Sequence, residues 1–98
     1  MSEPNDPDPN FLERADSYIE LANAHVGRIE RGRVSASLLF GAARFGAFTA
    51  ACWVENADEL RAKRAEFLAY FKDQYQAMLE QNLDDYIERF DEYMRPGA

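Results

Sequence analysis

A chain of 98 residues has the length of one domain, enough for a single core with little surplus stability. Its 47% hydrophobic and 13% aromatic content excludes a disordered chain. The net charge of −7 is gathered at the two ends, with six carboxylates before Leu21 against Arg14 and six from Glu80 to Glu92 against Arg89. Such a surface repels phosphate backbones and argues against nucleic acid as a partner, and the basic cluster Arg28, Arg31, Arg33 and Arg44 is too small to reverse that reading.

Residues 1–9 carry three prolines and three acids and read as a disordered acidic tail. They also lack the positive charge and apolar run of a signal peptide, so a cytoplasmic location is the default expectation. Asn10 offers a helix N-cap with Glu13 as the second half of a capping box. Phe11, Ala15, Tyr18, Ile19, Ala22, Val26 and Ile29 then recur at spacings of three and four, which predicts a first helix over 10–31 stopped by Gly32. Ser35 is a plausible cap for a second helix over 34–54. Asn56 and Glu59 form another capping box, opening a third helix over 57–94. No glycine or proline interrupts that third span, although Asn82 with Asp85 imitates a cap and allows a break there. Pro96-Gly97 closes a short tail over 95–98.

The second helix is apolar on every side, with one charge, Arg44, at its midpoint. A helix without a polar face must be enclosed by other protein or by lipid. Its length would span a membrane, but Arg44 would cost about 2.5–3.5 kcal/mol on insertion scales, so a membrane is not the expected partner. Ala42, Ala43, Gly46 and Ala50 share one side, where a neighbouring helix can approach closely. Phe40, Arg44 and Phe48 lie on the other. If the chain turns back near Asn56, position 44 lies level with about positions 20–22 and 66–68 at the standard rise, and residues 78–94 overhang by about 24 Å. The overhang carries one apolar stripe of Leu79, Leu83, Tyr86, Ile87, Phe90, Tyr93 and Met94. The upstream stripe of Leu60, Phe67, Phe71, Tyr75 and Met78 is rotated from it by about a quarter turn, which implies two different packing partners.

The segments ERADSYIELAN (13–23), GRVSASLLFGAARFGAFTAA (32–51) and MLEQNLDDYIERFD (78–91) resemble a family of small bacterial proteins known as domain of unknown function 3144. The resemblance covers most of residues 11–93. Its most specific parts run through Ser35, Ala36, Ser37, Ala42, Ala43, Arg44 and Phe45, and through Asn82-Leu83-Asp84-Asp85-Tyr86. It implies a bacterial, cytoplasmic protein and brings no activity, cofactor or catalytic residue with it.

Arg44 is the sharpest candidate for chemistry. A guanidinium in an apolar setting can clamp a carboxylate or phosphate. The more common role is structural, with the stem between Phe40 and Phe48 and the head paired with a carboxylate, and hairpin arithmetic names Glu20 and Glu66. His25 has no second histidine and no glutamate pair, so it reads as a helix-face residue and not as a metal ligand. Cys52 lacks a histidine partner and reads as a small buried hydrophobe. The acidic face from Glu80 to Glu92 lacks a calcium loop and reads as solvated. Tyr70, Tyr75, Tyr86 and Tyr93 have the spacing of core or interface aromatics.

The reading is an all-α protein, a single domain over 10–94: a three-helix antiparallel bundle with a long C-terminal helix, packed as a homodimer. The leading function is a non-enzymatic interaction or assembly module with no cofactor. It meets a second copy or another protein through Leu79, Leu83, Tyr86, Ile87, Phe90 and Tyr93. An anionic-ligand binder or enzyme built around Arg44 is the second reading, and a membrane-edge protein the third.

Overall fold

The computed structural model describes residues 7–97. The acidic tail expected over 1–9 lies outside the described residues up to position 6, as does the last residue of the 95–98 tail. Within the described residues, five helices follow one another: α1 (Phe11–His25), α2 (Arg31–Cys52), α3 (Ala57–Ala62), α4 (Arg64–Glu88) and α5 (Phe90–Met94). With no strand among the described residues, the protein is all-α. The chain divides into two compact units, one up to Phe45 and one from Gly46 onward.

In the first unit, α1 starts without the expected capping box. Asn10 sits at φ −100° and ψ 12°, and its side chain makes no cap hydrogen bond. An N-cap side chain reaches the free N–H groups of the first turn from the β region, and this backbone is outside it. Asp8 satisfies part of that first turn instead. Its carbonyl accepts from the Phe11 N–H at 3.2 Å, and its carboxylate pairs with Arg14 at 2.5 Å.

The end of α1 also differs from expectation. Gly27, at φ +101°, lies in the conformation that side-chain-bearing residues rarely adopt, and the helix stops two residues before it at His25. The Ile29 N–H returns to the His25 carbonyl at 3.0 Å, and the Glu30 carbonyl then accepts from Arg33 and Val34 to start α2. Gly32 therefore lies inside the first turn of α2. The glycine that turns the chain is the one whose φ is positive.

In the second unit, the cap at Asn56 forms. Asn56 is extended, at φ −160° and ψ 173°, and its side chain accepts from the Glu59 N–H at 2.9 Å. The Glu59 carboxylate reaches back to the Glu55 N–H at 2.8 Å, one residue earlier than the usual capping box. The last turns of α2 run antiparallel to the start of α4. A Cβ on Gly46 would meet the Phe71 ring at 3.6 Å, and Trp53 packs edge-on against Phe67 and Tyr70 and stacks on Phe71, with ring centroids 5.8–6.2 Å apart. Aromatic pairs at this spacing add about 0.5–1.5 kcal/mol each beyond area burial.

The expected single helix over 57–94 is three helices, and its bends are not at Asn82. They fall at Lys63 (φ −99°, ψ 5°) and Arg89 (φ −118°, ψ 32°). At both, the four-residue ladder continues: Lys63 donates to the Glu59 carbonyl and accepts from Phe67, and Arg89 donates to Asp85 and accepts from Tyr93. Asn82 does not cap anything. Its side-chain amide donates to the Met78 carbonyl at 2.8 Å, one turn back, so α4 passes through it unbroken.

Removing the Asn56 side chain deletes an N–H partner from a helix of only six residues. Asn56→Ala is expected to lower stability by about 1 kcal/mol, and Asn56→Gly by a few tenths, in urea titrations followed by circular dichroism.

Candidate functional site

Buried hydrophobic residues are few: among the described residues only Val34 (7% exposed) and Ala50 (4%) qualify. The large apolar side chains of the C-terminal stripe are all exposed. Leu79, Leu83, Tyr86, Phe90, Tyr93 and Met94 lie along α4 and α5, and Ile87 is the most open of them at 73%. Bulky apolar groups in such a row mark an interaction surface more often than a solvated one. In the upstream row Leu60, Phe67 and Phe71 are half-buried, whereas Tyr75 and Met78 are exposed.

Polar contacts organise the end of this surface. Asp85, Arg89 and Tyr93 are spaced four apart and stand in a ladder. The Tyr93 hydroxyl donates to the Asp85 carboxylate at 2.7 Å, and the Tyr86 and Tyr93 rings lie 4.8 Å apart. Arg89 reaches Asp85 at 3.7 Å and Glu92 at 3.9 Å. The bond to Asp85 holds the Tyr93 hydroxyl above the ordinary tyrosine range, with Arg89 pulling the other way. Sequence reasoning placed Tyr86 and Tyr93 on one stripe and missed this ladder, although the Asp85-Arg89-Tyr93 spacing was its signal. A shallow depression at the α4–α5 bend is lined by residues 87–92, with Ile87 and Phe90 among the charged side chains.

Arg44 is exposed, and its guanidinium lies over the Phe40 ring, 4.9 Å from the centroid. This cation–π contact contributes about 0.5–1 kcal/mol at an open site. Glu20 lies in α1 and Glu66 in α4, both exposed, and no ion pair among the described residues includes Arg44. In the second unit, Gly46 faces Phe71, so the partners of α2 lie further along α4 than a turn at Asn56 alone would give. Residues 53–56 and the separate α3 take up the difference.

Cys52 is exposed and not the buried hydrophobe expected beside Trp53. Among the described residues, no group of three or more His, Cys, Asp or Glu side chains converges to hold a metal ion. By length and composition α2 could cross a membrane, a test that core helices of soluble proteins also pass.

Comparison with known proteins gives the sequence a place. The family described as protein of unknown function, DUF3144, matches residues 11–87. The chain belongs to this family. The NMR structure of a protein from Shewanella sp is similar to this DUF3144 member at 37% identity and a TM-score of 0.74, covering 90% of this chain and 94% of the other. No curated protein matches. Neither description names an activity, a ligand or a partner, so the chemistry must be argued from the residues.

Tyr93 gives a pH-dependent readout. A hydroxyl whose pKa is raised by folding contributes fully below the free tyrosine value of about 10, and that contribution is lost as pH climbs through the folded value. Absorbance titration should therefore show one component above the ordinary tyrosine range that is missing in Tyr93→Phe. If the variant loses its amplitude from the ordinary tyrosine range instead, the Asp85 contact does not persist in solution.

Proposed function

We propose that this protein is a non-enzymatic, cytoplasmic assembly module: an antiparallel helical bundle completed as a homodimer through the α4–α5 stripe. One observation carries the reading, the row of large exposed apolar side chains from Leu79 to Tyr93. Each is worth about 1.5–3 kcal/mol when fully buried. Leaving the whole row in water sacrifices an amount comparable to the total stability of a small domain, about 5–15 kcal/mol. A second copy is the simplest cover, because a two-fold dimer offers the exposed surfaces of each chain to the other.

The α2 helix supports the same reading. Phe40, Phe45 and Phe48 are exposed on a helix whose residues between Val34 and Cys52 carry one charge. An anionic-ligand site at Arg44 draws no comparable support, since the guanidinium rests on a phenyl ring and faces outward.

Self-association predicts a thermal midpoint that rises with protein concentration. Leu83→Glu and Phe90→Glu should each give a monomer by light scattering, with loss of cooperative unfolding. A monomer mass for the parent at high micromolar concentration, with a midpoint independent of concentration, would overturn the reading.

A further inference from the structure

The α2 helix carries a second exposed surface whose chemistry mirrors that of α4. Arg33, Phe40 and Arg44 are exposed and fall within about 40° of one another on a helix of 3.6 residues per turn. Along α4, Leu83 and Ile87 are exposed, and Glu80 projects about 20° from Ile87. One surface is apolar and basic, the other apolar and acidic. Among the described residues, Arg33, Arg44 and Glu80 enter no ion pair, and the contact of Asp91 with Arg95 is a loose 3.9 Å.

The spacing also matches. Arg33 and Arg44 are eleven residues apart, and so are Glu80 and Asp91. Eleven residues close three helical turns, about 16.5 Å, which brings Arg33 and Arg44 to the same side of α2, while Asp91 follows Glu80 across the Arg89 junction. At the junction the Arg89 N–H still donates to the Asp85 carbonyl, and the Arg89 carbonyl accepts from Tyr93. Antiparallel docking of the two surfaces sets Arg44 opposite Glu80 and Arg33 opposite Asp91. Phe40 then falls between Leu83 and Ile87.

From this juxtaposition we infer that the occupant of the Arg33–Arg44 face is the α4–α5 segment of a second copy, with Arg44 paired to the partner's Glu80. Resting on the self-association proposed above, the inference adds which helix meets which and in what register. A two-fold axis makes the contact twice, since each copy supplies one basic and one acidic surface. Charges placed around an apolar seam fix register and exclude wrong pairings more than they add affinity. The one charge between Val34 and Val54, Arg44, thereby has a purpose: it selects the partner helix.

Charge exchange between chains tests this. Sedimentation is measured for the parent, for Arg44→Glu, for Glu80→Arg, and for an equimolar mixture of the two variants, with helicity checked by circular dichroism. Each variant alone should raise the dimer dissociation constant by about tenfold or more, because like charges then face each other at both contacts. The mixture should recover the parent affinity, since a heterodimer of the two variants has an opposite-charge pair at both contacts. The pair Arg33→Glu and Asp91→Arg should behave in the same way and serves if either first variant fails to fold. A dimeric parent with unaffected variants overturns the inference while self-association stands. Weakened variants that do not recover on mixing overturn it as well. A monomeric parent removes both readings together.

Discussion

Everything in this protein answers to one constraint: α2 has nowhere to hide. Apart from Arg31, Arg33 and Arg44 its twenty-two residues carry no charge, so water is a poor neighbour over most of its circumference. Small residues solve part of the problem, with Ala50 buried and Gly46 set against the Phe71 ring. The phenylalanines do not share that solution, and Phe45 stays 70% exposed. A chain of this length with so little enclosed apolar volume sits near the lower limit of independent stability, and mass action between copies is a direct route to the remainder.

The local hydrogen bonding shows how the backbone prepares these surfaces. Asn56 and Asn10 are the same residue type in the same sequence context, yet only the extended one caps its helix. Lys63 and Arg89 bend the long C-terminal span without interrupting its ladder. At each, the N–H of the bend residue and the N–H four residues on still find carbonyls one turn back.

How far the fold was legible depends on which physical scale decides each feature. Helical periodicity along Phe11–Val26 and from Leu60 to Met94 is a property of side-chain order, and it identified an all-α protein. The Asn56–Glu59 cap was legible because its partners are three residues apart. The Asn10 cap failed on a dihedral angle that no residue identity encodes. Gly27 was overlooked in favour of Gly32 because both are glycines near a helix end, and only φ tells them apart. Asn82 looked like a cap because its alternative, a bond to the carbonyl one turn back, leaves no trace in spacing. For the candidate site, the C-terminal apolar stripe was legible as a pattern. The environments of Arg44 and Cys52 were not, because exposure depends on how much of α2 the rest of the chain covers.

Trp53 is the single tryptophan of the chain, and it stands where α2 meets the aromatic row of α4. Its indole is about half in water and half against three rings. Intrinsic fluorescence in this molecule is thus a point reporter: its emission follows closure of that one hairpin and is blind to the stripe beyond Leu79. Tyr93 at the far end ionises above the ordinary tyrosine range, so two optical signals divide the C-terminal unit. An event that closes the hairpin and an event that covers the stripe would be seen as two clocks, one unimolecular and one dependent on concentration.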